Sequence, residues 1–530
     1  MKNSNGCFSN TPIKEMGAIL KFSIIISCAV LFVVSSPCFA MDRQVDAGRL
    51  WPDYIGKEMS GLRKKTVTLN VGSEKMVLTV ATPSVVSGND VGNFEGAFTS
   101  ITVEPKDGKV TLPLSTVPIY LEEPGIDSVR HLDAESSPFG IQGPAKYDPH
   151  FKDLGVHWVR SSGSIRAAWG QIEPYRGKFD MSHVANIDKA ISGFNRNNVN
   201  TMVTVYVQNP WDQLGESEGR KFWKKWKKNH KKQERRLVAK LPRDQEAFAE
   251  FLRRFVERYD GDGIDDAPGS PVVKYWQIVN EADLDWKDTP ENFAKLVKIS
   301  YKAIKKADPN AGVVLSGAAL PRGFTAFYQP MLKQLNRMKD STDDRYFDVF
   351  DFHWFVGATG GYLVAPNRHF MGGIGSFKEY VELIRSTLEK YGHPNTPIWI
   401  TEMCTHTGKP KQKRVKFDYQ SETQQAAELV KRFVYPLSLG IERIFWSRIY
   451  DQYKYKNKAD SFFNHVGLIY NPKKNRGKTV KKLSYYTYKM LINKLEGSDW
   501  EKMETLNLGE DVFAFRFTKG GKSIYVMWLR

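Results

Sequence analysis

Two glutamates stand where short apolar runs end. Trp276-Gln277-Ile278-Val279 leads into Asn280-Glu281, and Pro397-Ile398-Trp399-Ile400-Thr401 leads into Glu402. Two carboxyl groups brought into one cleft from opposite walls can divide the work of breaking a bond to carbon. One gives a proton to the leaving oxygen, and the other attacks or assists at the carbon. Arg160 stands near the end of another such run, Val156–Ser161, and an adjacent cation keeps a carboxylate ionised. The histidines are scattered, with no pair spaced to share one helix face, and neither a phosphate loop nor a dinucleotide fingerprint occurs. No metal and no cofactor is therefore expected.

Chemistry of this kind needs rigid elements that aim both carboxylates inward. Eight apolar runs can supply them: Phe139–Gln142, Val156–Ser161, Asn200–Val207, Val272–Val279, Gly312–Leu315, Val349–Trp354, Pro397–Thr401 and Ile441–Ser447. Amphipathic stretches lie between them, among them Glu246–Tyr259, Phe377–Tyr391, Glu422–Tyr435 and Lys482–Leu495. The alternation predicts an α/β chain folded as a (β/α)8 barrel, the TIM barrel. An open doubly wound sheet is the rival, but it would more naturally have fewer strands and a glycine-rich first turn, which this chain lacks. In the barrel, strands four and seven face each other, and residues at their C-terminal ends reach the catalytic mouth.

The flanks read differently. Residues from about 62 to 122 form short alternating runs broken by Gly, Ser, Asn, Asp and Pro. After Leu495 three more runs follow, Met503–Leu508, Val512–Thr518 and Ser523–Leu529. Neither flank has enough strands for a stable two-sided core. They are expected to complete one accessory β-sandwich together. The expected organisation is a signal peptide over 1–40, an N-terminal β segment over 41–130, the barrel over 131–495 and completing strands over 496–530.

The leader carries Lys14 and Lys21 before an apolar run from Phe22 to Val34, and closes on Cys38-Phe39-Ala40. That is the pattern of an export signal and is too short for a comfortable membrane span. It places the protein outside the cytoplasm, in a periplasm or beyond. Cys7, Cys28 and Cys38 would leave with the signal, so Cys404 would stand alone and no disulfide is expected. The whole chain carries a formal charge of +18, and the leader's three Lys and one Glu leave +16 on the remainder. For an exported protein this charge suits acidic polysaccharide or an anionic surface rather than nucleic acid. The segment 220–236 concentrates it, with ten Lys or Arg against one Glu, and Phe222, Trp223 and Trp226 at spacings that share a helical face. It follows strand three, so it should overhang the catalytic face and make peripheral contact with anionic partners. A solvated basic helix whose aromatics dock on the barrel accounts for it almost as well.

The run Trp276 to Glu281, the later Ile398-Trp399-Ile400-Thr401-Glu402, Val156-His157-Trp158-Val159-Arg160 and the segment from Trp169 to Asp180 together resemble glycoside hydrolase clan A. Within it they look closest to the family 39-like glycosidases and bacterial exopolysaccharide hydrolases, over roughly residues 138–495. The resemblance implies a retaining hydrolase that cleaves O-glycosidic bonds of a polysaccharide or oligosaccharide by double displacement, with Glu281 as acid/base and Glu402 as nucleophile. It implies that Asn280 bonds the sugar 2-hydroxyl, that Arg160 sits beside Glu402, and that His353 lines the pocket near the nucleophile. Trp446 would be the platform beneath the reactive sugar, and Trp211 a further substrate contact. The clan's usual Asn-Glu-Pro is Asn280-Glu281-Ala282 here. The chain is read as a monomer. A non-catalytic glycan-binding barrel is the alternative, and such a protein usually loses one of the two carboxylates.

Overall fold

The computed structural model describes residues 63–83, 98–126, 134–226, 237–355, 359–363, 373–412, 415–452, 461–470 and 480–530. The leader expected over 1–40 and positions 227–236 of the basic segment lie outside the described residues.

Eight parallel strands surround one core: Phe139–Gln142, Trp158–Ala168, Asn200–Tyr206, Tyr275–Ile278, Gly312–Val314, Phe350–Trp354, Ile398–Met403 and Arg443–Ser447. They are called barrel strands one to eight. Seven adjacent pairs form parallel ladders, including strand eight with strand one. Among the described residues, strands five and six are joined by the isolated bridges Val314 to Val349 and Ala318 to Phe352, so the cylinder is nearly closed.

The helices between strands bury the faces that their periodicity marks. Gln245–Glu257 buries Phe248, Phe251, Leu252, Phe255 and Val256, one stripe of its surface. Polar side chains start these helices by accepting otherwise unpaired N–H groups. Asp180, Asp244, Thr289 and Ser376 each do so, and Ser421 with Gln424 forms a reciprocal capping box. At the N-terminal end of the barrel, Trp158, Trp399, Phe445 and Tyr275 fill the interior. The Arg443 guanidinium lies 3.7 Å from the Trp158 ring centre and 4.2 Å from that of Trp399. This plug leaves only the opposite end open for a site.

Ladder irregularities sit near that open end in strands two and seven. In strand two the pairing with strand three jumps from Ser161–Val203 to Arg166–Thr204. In strand seven the pairing with strand six jumps from Ile400 to Glu402, passing over Thr401. A bulge re-aims the side chains beyond it, and such bulges gather beside functional sites.

The flanking segments share a sheet. Lys522–Leu529 pairs antiparallel with Ile119–Glu122, with Met527 opposite Ile119 and Ile524 opposite Glu122. The six strands run in the order Glu504–Thr505, Val512–Lys519, Lys522–Leu529, Ile119–Glu122, Met76–Val80, Ser100–Val103. One face covers the two-stranded sheet Lys65–Asn70 with Lys109–Leu114 through Val67, Leu69, Leu112, Leu121, Met527 and Leu529. The other presents Tyr120, Phe515, Phe517, Val526 and Trp528 to the barrel core. Alternation with period two sorts these residues onto the two faces.

Trp528 is fully buried there, and its indole N–H donates to the Tyr362 hydroxyl at 2.8 Å. Trp528→Ala is expected to cost about 3–5 kcal/mol. The loss should appear as one displaced urea transition monitored by both near- and far-ultraviolet circular dichroism. Separate transitions for accessory sheet and barrel would show that the shared core does not couple them. No helix among the described residues is long and apolar enough to cross a membrane.

Candidate active site

A cavity of about 450 Å3 opens at the C-terminal ends of the strands, lined by Gln142, Tyr206, Asn280, Glu281, Phe355, Glu402, Arg448, Phe463 and neighbours. Glu281 follows strand four and Glu402 belongs to strand seven, so the two carboxylates enter from facing walls. An oxygen of one lies within 4.8 Å of an oxygen of the other.

The backbone around Glu281 is strained. Val279 has φ 64°, Glu281 has φ 43° and ψ 59°, and Asn280 lies between them. Left-handed geometry costs a non-glycine residue about 1–3 kcal/mol, and a β-branched valine adopts it rarely. Surrounding bonds impose it. Val279 N–H donates to Val205 O at 3.0 Å, and Ala282 N–H to Ser316 Oγ at 3.0 Å. Leu284 and Asp285 N–H both reach Glu281 O. The result is an abrupt exit from strand four that turns the Glu281 side chain over the barrel mouth.

Glu402 is held more firmly. Its Oε1 accepts a hydrogen bond from Arg160 Nη1 and another from Gln142 Nε2 at 2.5 Å. Gln142 is oriented in turn by Ser447, whose hydroxyl donates to its Oε1 at 2.5 Å. Burial alone would push the Glu402 carboxyl upward. The positive charges of His353, Arg160 and Arg448 outweigh burial and hold it below the ordinary carboxylate range. Glu402 is therefore ionised at neutral pH.

A chain of hydrogen bonds with one permitted direction runs from Arg160 to Glu281. Arg160 can only donate, and it gives Nε and Nη2 to Gln277 Oε1 at 3.0 and 2.8 Å, and Nη2 to Asn280 Oδ1 at 2.6 Å. Asn280 thus turns its amide N–H groups toward the cavity side, where one approaches Glu281 Oε2 at 3.5 Å. Gln277, its oxygen occupied, donates Nε2 to Asp351 Oδ2 at 2.5 Å. Asp351 also accepts the Thr401 N–H at 3.0 Å and the Thr401 hydroxyl at 2.5 Å. Since the single Thr401 hydroxyl proton is engaged, His353 Nε2 must donate to Thr401 Oγ1, at 3.1 Å. His353 Nδ1 then faces Glu281 Oε1 at 2.9 Å, and one proton can be shared between them. Burial would lower the affinity of His353 for that proton, but the charge of Glu402, the bond to Glu281 and the charge of Asp351 raise it. Burial pushes Asp351 itself up to about 6, which leaves it ionised at neutral pH.

The structure thus brings Glu281, Glu402, Arg160, Asn280 and His353 together. His353 bonds to Glu281, while it acts on Glu402 through charge. Two expected sugar contacts lie elsewhere. Trp446 is fully buried in the barrel core, donates its N–H to Val466 O at 3.1 Å, and does not line the cavity. Its place on strand eight points it into packing, so the platform expectation is corrected. Trp211 packs on Trp169 with ring centres 5.0 Å apart and donates to Glu173 O at 3.1 Å, again away from the carboxylates. Tyr206, Phe355 and Phe463 supply the aromatic surface of the cavity instead. Gln142 and Gln277, which bond Glu402 and Arg160 respectively, are site positions that sequence reasoning did not single out. A glutamine inside or ending an otherwise apolar barrel strand is the signal that marks both. Cys404 is buried, and burial raises its thiol far above the reactive range.

The close approach of Glu281, His353 and Glu402 also has the spacing of a cation site. The local charge argues against one. Arg160 already neutralises Glu402, and Arg448 adds a second positive charge acting on the same carboxylate. A divalent ion would have to enter against both.

No family model and no curated protein matches the chain. Solved structures do. A family 39 glycoside hydrolase from the gut symbiont Bacteroides cellulosilyticus WH2 is 16% identical, with 88% of this chain and 87% of that chain covered, at a TM-score of 0.51. A glucosidase from Croceicoccus marinus is 14% identical over 72% of this chain and 74% of that one, at 0.46. A monomeric beta-xylosidase from Caulobacter crescentus CB15 is 16% identical over 72% and 73%, at 0.43. The first of these extends over most of both chains and shows that this protein has the barrel fold of that hydrolase.

Proposed function

We propose that the protein is a retaining glycoside hydrolase, exported under the direction of its leader, in which Glu402 attacks and Glu281 shuttles the proton. The observation that carries this reading is the carboxylate pair. Retaining enzymes hold their two carboxyl groups about 5–5.5 Å apart, whereas inverting ones leave about 6.5–9.5 Å for a water. Oxygens of Glu281 and Glu402 within 4.8 Å of each other fit the first spacing. That both carboxylates are kept also counts against a non-catalytic glycan-binding barrel.

In the first step Glu402, ionised and oriented by Arg160 and Gln142, attacks the anomeric carbon. The bond to the leaving oxygen breaks, and that oxygen takes the Glu281 proton. In the second step Glu281, now a carboxylate, takes a proton from water, whose oxygen displaces Glu402 from the ester. His353 holds Glu281 in place and shares its proton between steps. Asn280, its oxygen tied to Arg160, has N–H groups to offer a sugar hydroxyl.

The test is a panel of aryl glycosides and neutral and acidic polysaccharides, with products sized by mass spectrometry and the first-formed anomer read by proton NMR. Release of a reducing sugar with the anomeric configuration of its substrate is expected. Product of inverted configuration would remove Glu402 from its role as nucleophile.

A further inference from the structure

Beside the catalytic cavity lies a second one, of about 240 Å3, walled by Arg166, Gln171, Tyr206, Phe222, Trp223 and Trp226, among others. Tyr206 borders both cavities, so they are neighbours across one side chain. The second is smaller than the roughly 300–1,000 Å3 of sites that take whole drug-sized ligands. A single sugar ring suits it.

Its walls are built in. The aromatic side comes from the helix Glu216–Trp226 that follows strand three. Gly219 seats this helix on the preceding turn: a Cβ there would come 2.8 Å from Trp211 Cα. Phe222 is fully buried, and it fixes Trp223 and Trp226, whose ring centres lie 5.2 and 5.4 Å from its own. Trp223 Nε1 is buried with no hydrogen-bond partner among the described residues, and a buried donor of this kind is costly unless a ligand satisfies it. Arg166, just past the irregularity in strand two, lies over the Tyr206 ring at 5.1 Å. No carboxylate among the described residues pairs with it. A planar guanidinium fork over an aromatic ring, with no anion beside it among the described residues, matches a carboxylate in geometry and charge.

We propose that this cavity is an outer subsite for a uronosyl residue of the glycan being cut, with Arg166 binding the carboxylate, an indole face against the ring, and Trp223 Nε1–H given to a hydroxyl. The inference rests on the hydrolase reading for its place along a substrate, and its test needs no turnover. Trisaccharides of galacturonate, mannuronate and guluronate and a hyaluronan tetrasaccharide, each beside its carboxyl-reduced counterpart, are titrated calorimetrically into full-length Glu402→Gln protein.

At least one acidic form should bind about tenfold or more tightly than its reduced counterpart, as a charge-assisted hydrogen bond allows. Adding Arg166→Gln should abolish that preference with an unchanged melting temperature. Adding Lys224→Gln and Lys225→Gln, which alters exposed charge on the same helix, should keep it. Adding Trp223→Phe, which keeps bulk but removes the donor, should weaken acidic and reduced forms alike. The proposal is overturned if no acidic form is preferred, or if the preference survives Arg166→Gln. Carboxylate-dependent binding in a protein that hydrolyses nothing would sink the hydrolase reading alone. Hydrolysis without this preference would sink the subsite alone.

Discussion

Glu402→Ala should lower turnover by at least about ten-thousandfold on every substrate, because without the nucleophile no covalent intermediate forms. Glu281→Ala should behave differently. A substrate with a good leaving group needs little protonation, so its first step should survive while the second, which needs a base, slows. The variant should then show a burst of aryl alcohol followed by slow turnover. Azide, an anion that needs no general base, should accelerate that second step and yield a glycosyl azide of retained configuration. The readouts are stopped-flow absorbance and NMR of the azide product. Equal losses in both variants on activated and unactivated substrates, with no azide adduct, would contradict the assignment of roles.

The second large effect is expected at Arg160. Its guanidinium contacts Glu402 and orients both Gln277 and Asn280 from a fully buried position. In Arg160→Met the upward push of burial on Glu402 loses its nearest counterweight, so the carboxyl should titrate at higher pH. Glu402 must be ionised to attack, and the acidic limb of the kcat/KM profile should therefore move upward. The same change bears on stability. In the wild type the folded Glu402 carboxyl lies below its unfolded value near about 4.3. The ion pair thus contributes stability that is present above that value and lost as pH falls through the folded one. Removing one partner of a buried pair costs about 3–5 kcal/mol, since the other charge is left uncompensated. The urea midpoint of the variant should fall by that measure at neutral pH, and the gap should narrow below about pH 4. An unmoved acidic limb would show that Arg160 does not set the state of Glu402. Arg160→Lys should be intermediate, with the charge restored but not the fork that holds Gln277 and Asn280 together.

The fold was legible because parallel barrel strands are buried on both sides and read as short apolar runs. All eight runs became strands, most with ends shifted by up to three residues: Val272–Val279 narrowed to Tyr275–Ile278, while Val156–Ser161 became the longer Trp158–Ala168. Glu281 and Glu402 were legible by position at the ends of their runs, and Arg160 by its place near the end of Val156–Ser161, ahead of the irregularity in strand two; the barrel converts these positions into proximity. The aromatic contacts were not. Which way Trp446 faces depends on the register of strand eight against a bulged strand seven, and a single strand's pattern does not contain it. Phe463 reaches the cavity from the turn Phe462–Asn464, beyond strand eight, and only the tertiary path of the chain brings it there. The relay through Gln277, Asp351 and Thr401 was hidden for a related reason. Its partners come from strands four, six and seven, and each is a polar residue within a mainly apolar run.

Covalent capture of the intermediate tests the central claim most directly. The protein is incubated with an activated 2-deoxy-2-fluoro glycoside of the sugar that it accepts, digested, and its peptides sequenced by mass spectrometry. The fluorine slows both steps, and the activated leaving group lets the first outrun the second, so the glycosyl ester accumulates. The expected result is one fluoroglycosyl unit on Glu402, absent when the protein is unfolded beforehand. An adduct on Glu281 or on any other residue would contradict the account.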